Sequence, residues 1–262
     1  MKALAKHFAP AVHLAERMVD AARPVVMRSF RAPAMAIDAK ADDSPVTVAD
    51  REAEAVMRRM IEEAFPDHGI VGEEHGTVRR DAEWVWVLDP IDGTKSFVTG
   101  KPLFGTLIAL LHEGRPVISV IDMPALGERW LGAEGRATTF NGREARSRGC
   151  TVLASAWLYA TSPQMFRGRD AQAFQRLGAR CRATVYGADC YAYGLIANGT
   201  VDIVCEASMQ PYDYCALVPV VAGAGGVITD WNGAPLTLAS DGRVLAAGDP
   251  AAHEAAREVL AH

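Results

Sequence analysis

Disulfide chemistry is the first thing this sequence lacks. Its five cysteines, at 150, 181, 190, 205 and 215, are odd in number and include no Cys-x-x-Cys pair, which argues against a cystine framework and for a reducing cytoplasm. No uninterrupted apolar stretch approaches the length of a membrane span, and Lys2, Lys6, Glu16 and Arg17 break up the apolar core that a signal peptide would need. Runs of lysine or arginine are missing too. With a net charge of -5, the chain has no basic footprint for nucleic acid, so small molecules are the expected partners. The seven histidines show no metal-ligand spacing. No Walker loop is present, and Gly223-Ala224-Gly225-Gly226-Val227-Ile228 has isoleucine where a dinucleotide fingerprint needs its last glycine. No cysteine stands six residues before an arginine, as cysteine-dependent phosphatases require, and Asp89 and Asp92 are three apart rather than the Asp-x-Asp of aspartyl-phosphate enzymes. A phosphoenzyme is therefore not expected.

What is present is organised around residues 84–94, Trp-Val-Trp-Val-Leu-Asp-Pro-Ile-Asp-Gly-Thr. Five apolar residues in a row predict a strand buried on both faces. Pro90 has no N–H for a ladder and Gly93 tolerates conformations other residues resist, so the chain is expected to leave the sheet at Asp89 and turn by Gly93. Asp89 and Asp92 are then held together on a stiff turn. Like charges this close repel unless a cation lies between them, and hard oxygen ligands suit Mg²⁺. Backbone amides from Gly93 to Ser96 form a ready place for phosphate. Ordinary turn chemistry would explain each residue separately. A second acidic loop upstream, Ile70-Val71-Gly72-Glu73-Glu74, repeats the plan, and Tyr212-Asp213 offers a third carboxylate far downstream.

Along the rest of the chain, Leu4 to Phe30 carries an apolar stripe at helical spacing, with Pro24 expected to bend the helix or end its regular part. Arg31 to Asp43 has no period and is expected to be a loop. A second helix begins at Ser44–Asp50, with Thr47 as its N-cap. Its apolar face is Ala53, Met57, Met60 and Ile61, and Glu54–Arg58 is assigned to the solvated face opposite. Asp50 reads equally as a helix-start carboxylate. His75, alone in an acidic loop, is expected to be solvated. Strands at 106–111 and 117–121 form a hairpin, followed by shorter strands near 129–131 and 137–140. Helices followed by antiparallel strands indicate an α+β half over 1–147, and 148–262 reads as a second, α/β half. There, Asp189 at a helix start, Glu206 at a strand end and Asp213 sit where loops build sites, although each also reads as a cap or a surface charge.

Gly72-Glu73-Glu74, Asp89-Pro90-Ile91-Asp92-Gly93-Thr94 and Tyr212-Asp213 followed by Gly223-Ala224-Gly225-Gly226 resemble, in order and approximate spacing, the inositol monophosphatase family of magnesium-dependent phosphatases. The resemblance spans nearly the whole chain, and the Asp-Pro-Ile-Asp-Gly-Thr hexapeptide carries most of it. It implies a layered αβαβα sandwich, commonly dimeric, with two or three Mg²⁺ ions per site. By the same resemblance Glu73, Asp89 and the Ile91 carbonyl hold a first ion, Asp89, Asp92 and Asp213 a second, and Asp50 with Glu74 a third, looser one. Glu73, Thr94 and Asp92 are the implied catalytic residues; Thr94 and Glu73 orient and deprotonate the attacking water, while the amides of Gly93 and Thr94 bind phosphate.

Substrate choice is assigned to Asp189 and Glu206, beside Asp213. Two carboxylates near a phosphate site favour a substrate that also carries positive charge. Residues 95–106 (Lys-Ser-Phe-Val-Thr-Gly-Lys-Pro-Leu-Phe-Gly-Thr), 189–194 and 211–213 closely resemble the histidinol-phosphate phosphatases within the family. The favoured substrate is L-histidinol phosphate, in histidine biosynthesis. Inositol 1-phosphate or a broad range of sugar phosphates comes second, and a non-catalytic regulatory protein of the same fold is the reading from another class. Tyr212 in place of a usual tryptophan, Pro219 in the following helix and Ala224 before the glycine pair depart from the broad family pattern without removing a ligand.

Overall fold

The computed structural model describes residues 2–32, 37–39 and 45–261. The first helix, α1 (Lys2–Ser29), runs through both Pro10 and Pro24 rather than ending at the second. Each proline forfeits a backbone hydrogen bond. The uninterrupted stripe of Phe8, Ala11, Leu14, Ala15, Met18, Val19, Ala22 and Val26, all buried, supplies the packing that carries the helix past that loss. The stretch expected as a loop contains a short strand, β1 (Ile37–Ala39), antiparallel to β2 (Pro45–Thr47); residues 33–36 and 40–43 of it lie outside the described residues. Helix α2 (Val48–Ala64) follows directly, and the cap expected of the Thr47 side chain lies outside what the structure describes.

Next come β3 (Gly69–Gly72), β4 (Gly76–Val78), β5 (Trp84–Asp92), the short α3 (Thr94–Val98), β6 (Gly105–His112), β7 (Arg115–Met123), β8 (Glu128–Ala133), β9 (Thr139–Phe140) and β10 (Arg143–Glu144). They make one eight-stranded sheet in the order β10-β9-β8-β7-β6-β5-β3-β4. It is antiparallel except between β3 and β5. That exception matters, because two parallel neighbours deliver their C-terminal loops to the same edge. Asn141 and Gly142, both with positive φ, make the tight turn between β9 and β10.

The second sheet uses β11 (Trp157–Ala160), β12 (Ala183–Tyr186), β13 (Ile203–Glu206), β14 (Val227–Thr229) and β15 (Val244–Ala247), ordered β12-β11-β13-β15-β14. The sequence predicts a strand over 153–160, but 153–155 is a 3-10 turn and β11 begins at Trp157; β15 lies in a stretch to which the sequence reading assigns no element. Between these strands lie α4 (Arg169–Arg180), α5 (Tyr191–Ala197), α6 (Pro211–Tyr214) and α7 (Leu217–Gly223), with α8 (Pro250–Ala261) last.

Three buried clusters show how the elements stack. Helices α1 and α2 pack on one face of the large sheet through Met18, Met57, Ile61, Trp86 and Ile108. Helices α5 and α7 fill the space between the sheets, where Trp130, Tyr193, Tyr214 and Leu217 meet Val204 and Ala246. Helices α4 and α8 cover the far face of the small sheet with Phe174, Leu177 and Leu260. The result is an αβαβα sandwich, the layering that the sequence motifs imply. Among the described residues, no helix is long and apolar enough to cross a membrane.

Candidate active site

Strand β5 is buried from Trp84 to Leu88 on both faces, as its unbroken apolar run predicts. It does not leave the sheet at Asp89. The strand continues to Asp92, with its register against β6 shifting between the pairs Asp89–Leu107 and Asp92–Gly105. Pro90 sits in that irregularity, where no ladder N–H is needed, and its carbonyl accepts the Thr106 hydroxyl at 2.8 Å. The Asp89 carboxylate folds back to accept the Ile91 amide at 3.1 Å, and the Thr94 hydroxyl donates to the Ile91 carbonyl at 3.2 Å. Gly93, with φ of 85°, then makes the turn. An added Cβ there would lie 3.3 Å from the Asp189 carboxyl carbon, so the two halves of the chain touch at this residue.

Because β3 runs parallel to β5 with Gly72 opposite Leu88, the Glu73 amide donates to the Leu88 carbonyl at 3.2 Å, and the two acidic loops emerge side by side. Carboxylate oxygens of Asp50, Glu73 and Glu74 come within 4.8 Å of one another, as do those of Asp89, Asp92 and Asp213. Asp213 is fixed by its own short helix: its carboxylate accepts the Gln210 amide at 2.7 Å in a capping box, so its cap and site readings coexist. Asp92 accepts the Cys190 amide at 2.8 Å, from the start of α5. His75 is exposed, with Nε2 at 3.0 Å from the Arg51 carbonyl.

This donor set fits hard divalent cations. Burial is the main force pushing the Asp89 carboxyl well above its usual range, and the neighbouring Glu73, Asp92, Asp213 and Asp50 add to it. Asp92 is pushed up in the same way, by burial and by Asp189 and Asp213, against the opposing Cys190 amide bond. Carboxylates arranged so that each disfavours ionising its neighbours are relieved by positive charge placed between them.

Beside the second cluster lies a cavity of about 170 Å³ lined by Asp92, Asp189, Glu206 and Asp213 together with Tyr193 and Met209. Glu206 is 2 % exposed. One of its oxygens accepts the Thr161 amide at 2.7 Å and the other the Tyr193 hydroxyl at 2.9 Å. Burial still raises its pKa despite those bonds. Asp189 has a φ of 48° and accepts the Ser96 hydroxyl at 3.3 Å. Burial raises it as well, while Ser96, Lys101 and Lys95 pull the other way. Larger depressions of about 590 and 730 Å³ open elsewhere and contain none of these carboxylates.

The carboxylates expected as ligands and substrate contacts, from Asp50 to Asp213, therefore converge on one region drawn from both sheets, whereas Gly223 and Gly225 of the glycine motif line a separate depression. The sequence reading missed the groups that hold the site in place: Ser96, Thr161, Cys190, Tyr193 and Glu54. Glu54 was assigned to the solvated face but is fully buried. At 100° per residue it falls within about 40° of Asp50 and Ile61 around α2, and that is the signal that would have found it.

Carboxylates gathered this densely at the edge of a layered α/β sandwich, next to a small acidic cavity, suit metal-dependent phosphate chemistry. The chain belongs to the inositol monophosphatase family, whose model matches residues 9–262. It is 47 % identical over 252 residues to a bifunctional phosphatase, IMPL2, of Arabidopsis thaliana chloroplasts, covering 93 % of this chain and 72 % of that one. It is 36 % identical over 230 residues to a histidinol-phosphatase of Mycobacterium tuberculosis, covering 84 % and 87 %. A solved inositol monophosphatase from Zymomonas mobilis is 45 % identical and superposes with a TM-score of 0.90 over 97 % of this chain and 98 % of that one.

Proposed function

We propose that this phosphatase hydrolyses L-histidinol phosphate to L-histidinol and phosphate, using Mg²⁺. The observation that carries the substrate assignment is the acidic cavity: Asp189 and Glu206 join Asp92 and Asp213 around a space of about 170 Å³ next to the metal-ligand cluster. A substrate with a phosphate at one end and an ammonium at the other matches that polarity, whereas an uncharged cyclitol brings no positive charge to Asp189 and Glu206. The histidinol-phosphatase relatives point the same way. The Zymomonas likeness keeps inositol 1-phosphate as the second reading.

Glu73, Asp89 and the Ile91 carbonyl would hold one ion, Asp89, Asp92 and Asp213 a second, and Asp50 with Glu74 a third. Once bound, Mg²⁺ supplies neutralisation of the phosphate oxygens and a lowered pKa for coordinated water. The protein's own groups do the positioning. The amides of Gly93 and Thr94, presented at a left-handed glycine, receive phosphate oxygens. The Thr94 hydroxyl swings from the Ile91 carbonyl to the attacking water, and the Glu73 carboxylate takes the proton from that water. Asp189, with its charge moderated by Lys95 and Lys101, receives the ammonium end of the substrate, and Tyr193 and Thr161 keep Glu206 rigid at the cavity floor. In phosphoryl transfer, alignment and charge neutralisation are most of the catalysis.

Phosphate release measured across L-histidinol phosphate, myo-inositol 1-phosphate, fructose 1,6-bisphosphate and a nucleoside monophosphate tests this reading. A kcat/KM for histidinol phosphate at least a hundredfold above the others is expected. Near-equal values would make the enzyme a broad sugar-phosphate phosphatase.

A further inference from the structure

Beneath the loop that bears Glu73 and Glu74, fully buried Glu54 pairs with part-buried Arg58, and neither lines the acidic cavity. We propose that Glu54, held by Arg58, is a positioning residue for the Asp50–Glu73–Glu74 cation site, fixing the loop that supplies two of its three carboxylates. This rests on the reading of that cluster as a metal site.

Glu54 is 0 % exposed. Its Oε2 accepts the Glu74 amide at 2.7 Å, and its Oε1 accepts the His75 amide at 3.1 Å and Arg58 Nε at 2.7 Å. Arg58 reaches on to donate to the Gly76 carbonyl. Three consecutive parts of the loop, at 74, 75 and 76, are thus tied to one turn of α2. The same helix carries Asp50 four residues earlier, on the same side, so a single rigid element sets the separation between Asp50 and the two glutamates. Gly72 makes the approach possible: a Cβ there would stand 2.1 Å from Glu54 Oε1 and 2.6 Å from a guanidinium nitrogen of Arg58. Groups that orient metal ligands through hydrogen bonds typically change metal affinity 10- to 100-fold when replaced. Glutamine at 54 would offer one acceptor oxygen where the loop and Arg58 use two, and its NH₂ would face a backbone or guanidinium N–H.

The test compares wild type, Glu54→Gln and, as a control in which a different buried carboxylate loses its ion pair, Asp202→Asn. Mg²⁺ binding is followed by calorimetry without substrate, and exchange of the Glu74 and His75 amides by NMR in chelator-treated protein. The expected result for Glu54→Gln is Mg²⁺ binding weakened 10- to 100-fold and exchange of both amides accelerated tenfold or more. Asp202→Asn should unfold at lower temperature but bind Mg²⁺ like wild type. If Glu54→Gln does not fold, Arg58→Lys, which keeps the charge but loses the fork to Gly76, is expected to show the same pair of changes. Wild-type Mg²⁺ binding in whichever variant folds, or equal weakening in Asp202→Asn, overturns the inference while leaving the metal site standing. Failure of the wild type to bind Mg²⁺ overturns both.

Discussion

Thr94 is the residue on which the catalytic account turns most sharply. Its hydroxyl is already turned toward the metal-ligand loop, donating to the Ile91 carbonyl at 3.2 Å. Removing it in Thr94→Ala deletes one hydroxyl from a helix start and leaves every carboxylate in place. Saturated rates of phosphate release are expected to fall by about 10²- to 10⁴-fold, the usual contribution of a positioned acid–base group, with KM changed little. An unchanged rate would remove Thr94 from the mechanism. Single residues were also what the sequence displayed best. Asp89, Asp92, Glu73 and Asp213 were legible because their chemistry is joined to punctuation by proline and glycine. Tyr193 and Thr161 were not, because an aromatic inside a helix and a threonine after a strand have ordinary packing roles, and only the fold reveals that both reach Glu206.

Among elements, the connection from the large sheet to the small one is held by Asp202, just before β13. Its carboxylate, 1 % exposed, accepts both Nε and a terminal nitrogen of Arg148 at 2.7 Å and the Trp157 amide at 2.8 Å. Burial alone would raise its pKa, but the Arg148 and Trp157 hydrogen bonds outweigh that and hold it below the usual range. A carboxyl lowered in this way contributes stability that is fully present above its unfolded value, near 3.9, and is lost as pH falls through the folded value. Asp202→Asn is expected to cost about 1.5–3 kcal/mol at pH 7 by thermal or urea unfolding, with the gap to wild type closing in acid. A gap that stays constant down to pH 2 would contradict this. Element types were largely readable from period and length. Of the two alternatives at Pro24, an end to the helix is ruled out, because buried packing carries α1 past it; the misreadings have physical causes too, since an irregularity in the ladder accommodates Pro90 within β5, and β15 follows a polar turn-rich segment in which a four-residue strand leaves little periodic signal.

For the whole molecule, the site joins parts that are remote in sequence: Asp50 on α2, the β3 and β5 loops, Asp189 before α5, Glu206 at the end of β13 and Asp213 on α6. Bound cations would therefore stabilise the sandwich as a unit. Magnesium at a hundredfold excess over its Kd is expected to add about 2.7 kcal/mol, or roughly 5–10 °C in unfolding temperature for a chain of this size, and chelation should reverse it. No shift would argue that the carboxylate clusters do not bind the ion in solution. The layering was legible only through the motif resemblance, since no periodicity within a strand states which sheet it joins.

The most direct test of the central claim is the ratio of kcat/KM for L-histidinol phosphate to that for myo-inositol 1-phosphate, measured with Mg²⁺ for wild type and Asp189→Ala. The account predicts a ratio well above one hundred in wild type that falls tenfold or more in the variant, through loss of histidinol-phosphate turnover rather than of phosphate hydrolysis in general. A wild-type ratio near or below one, or a ratio that Asp189→Ala leaves unchanged, would contradict it.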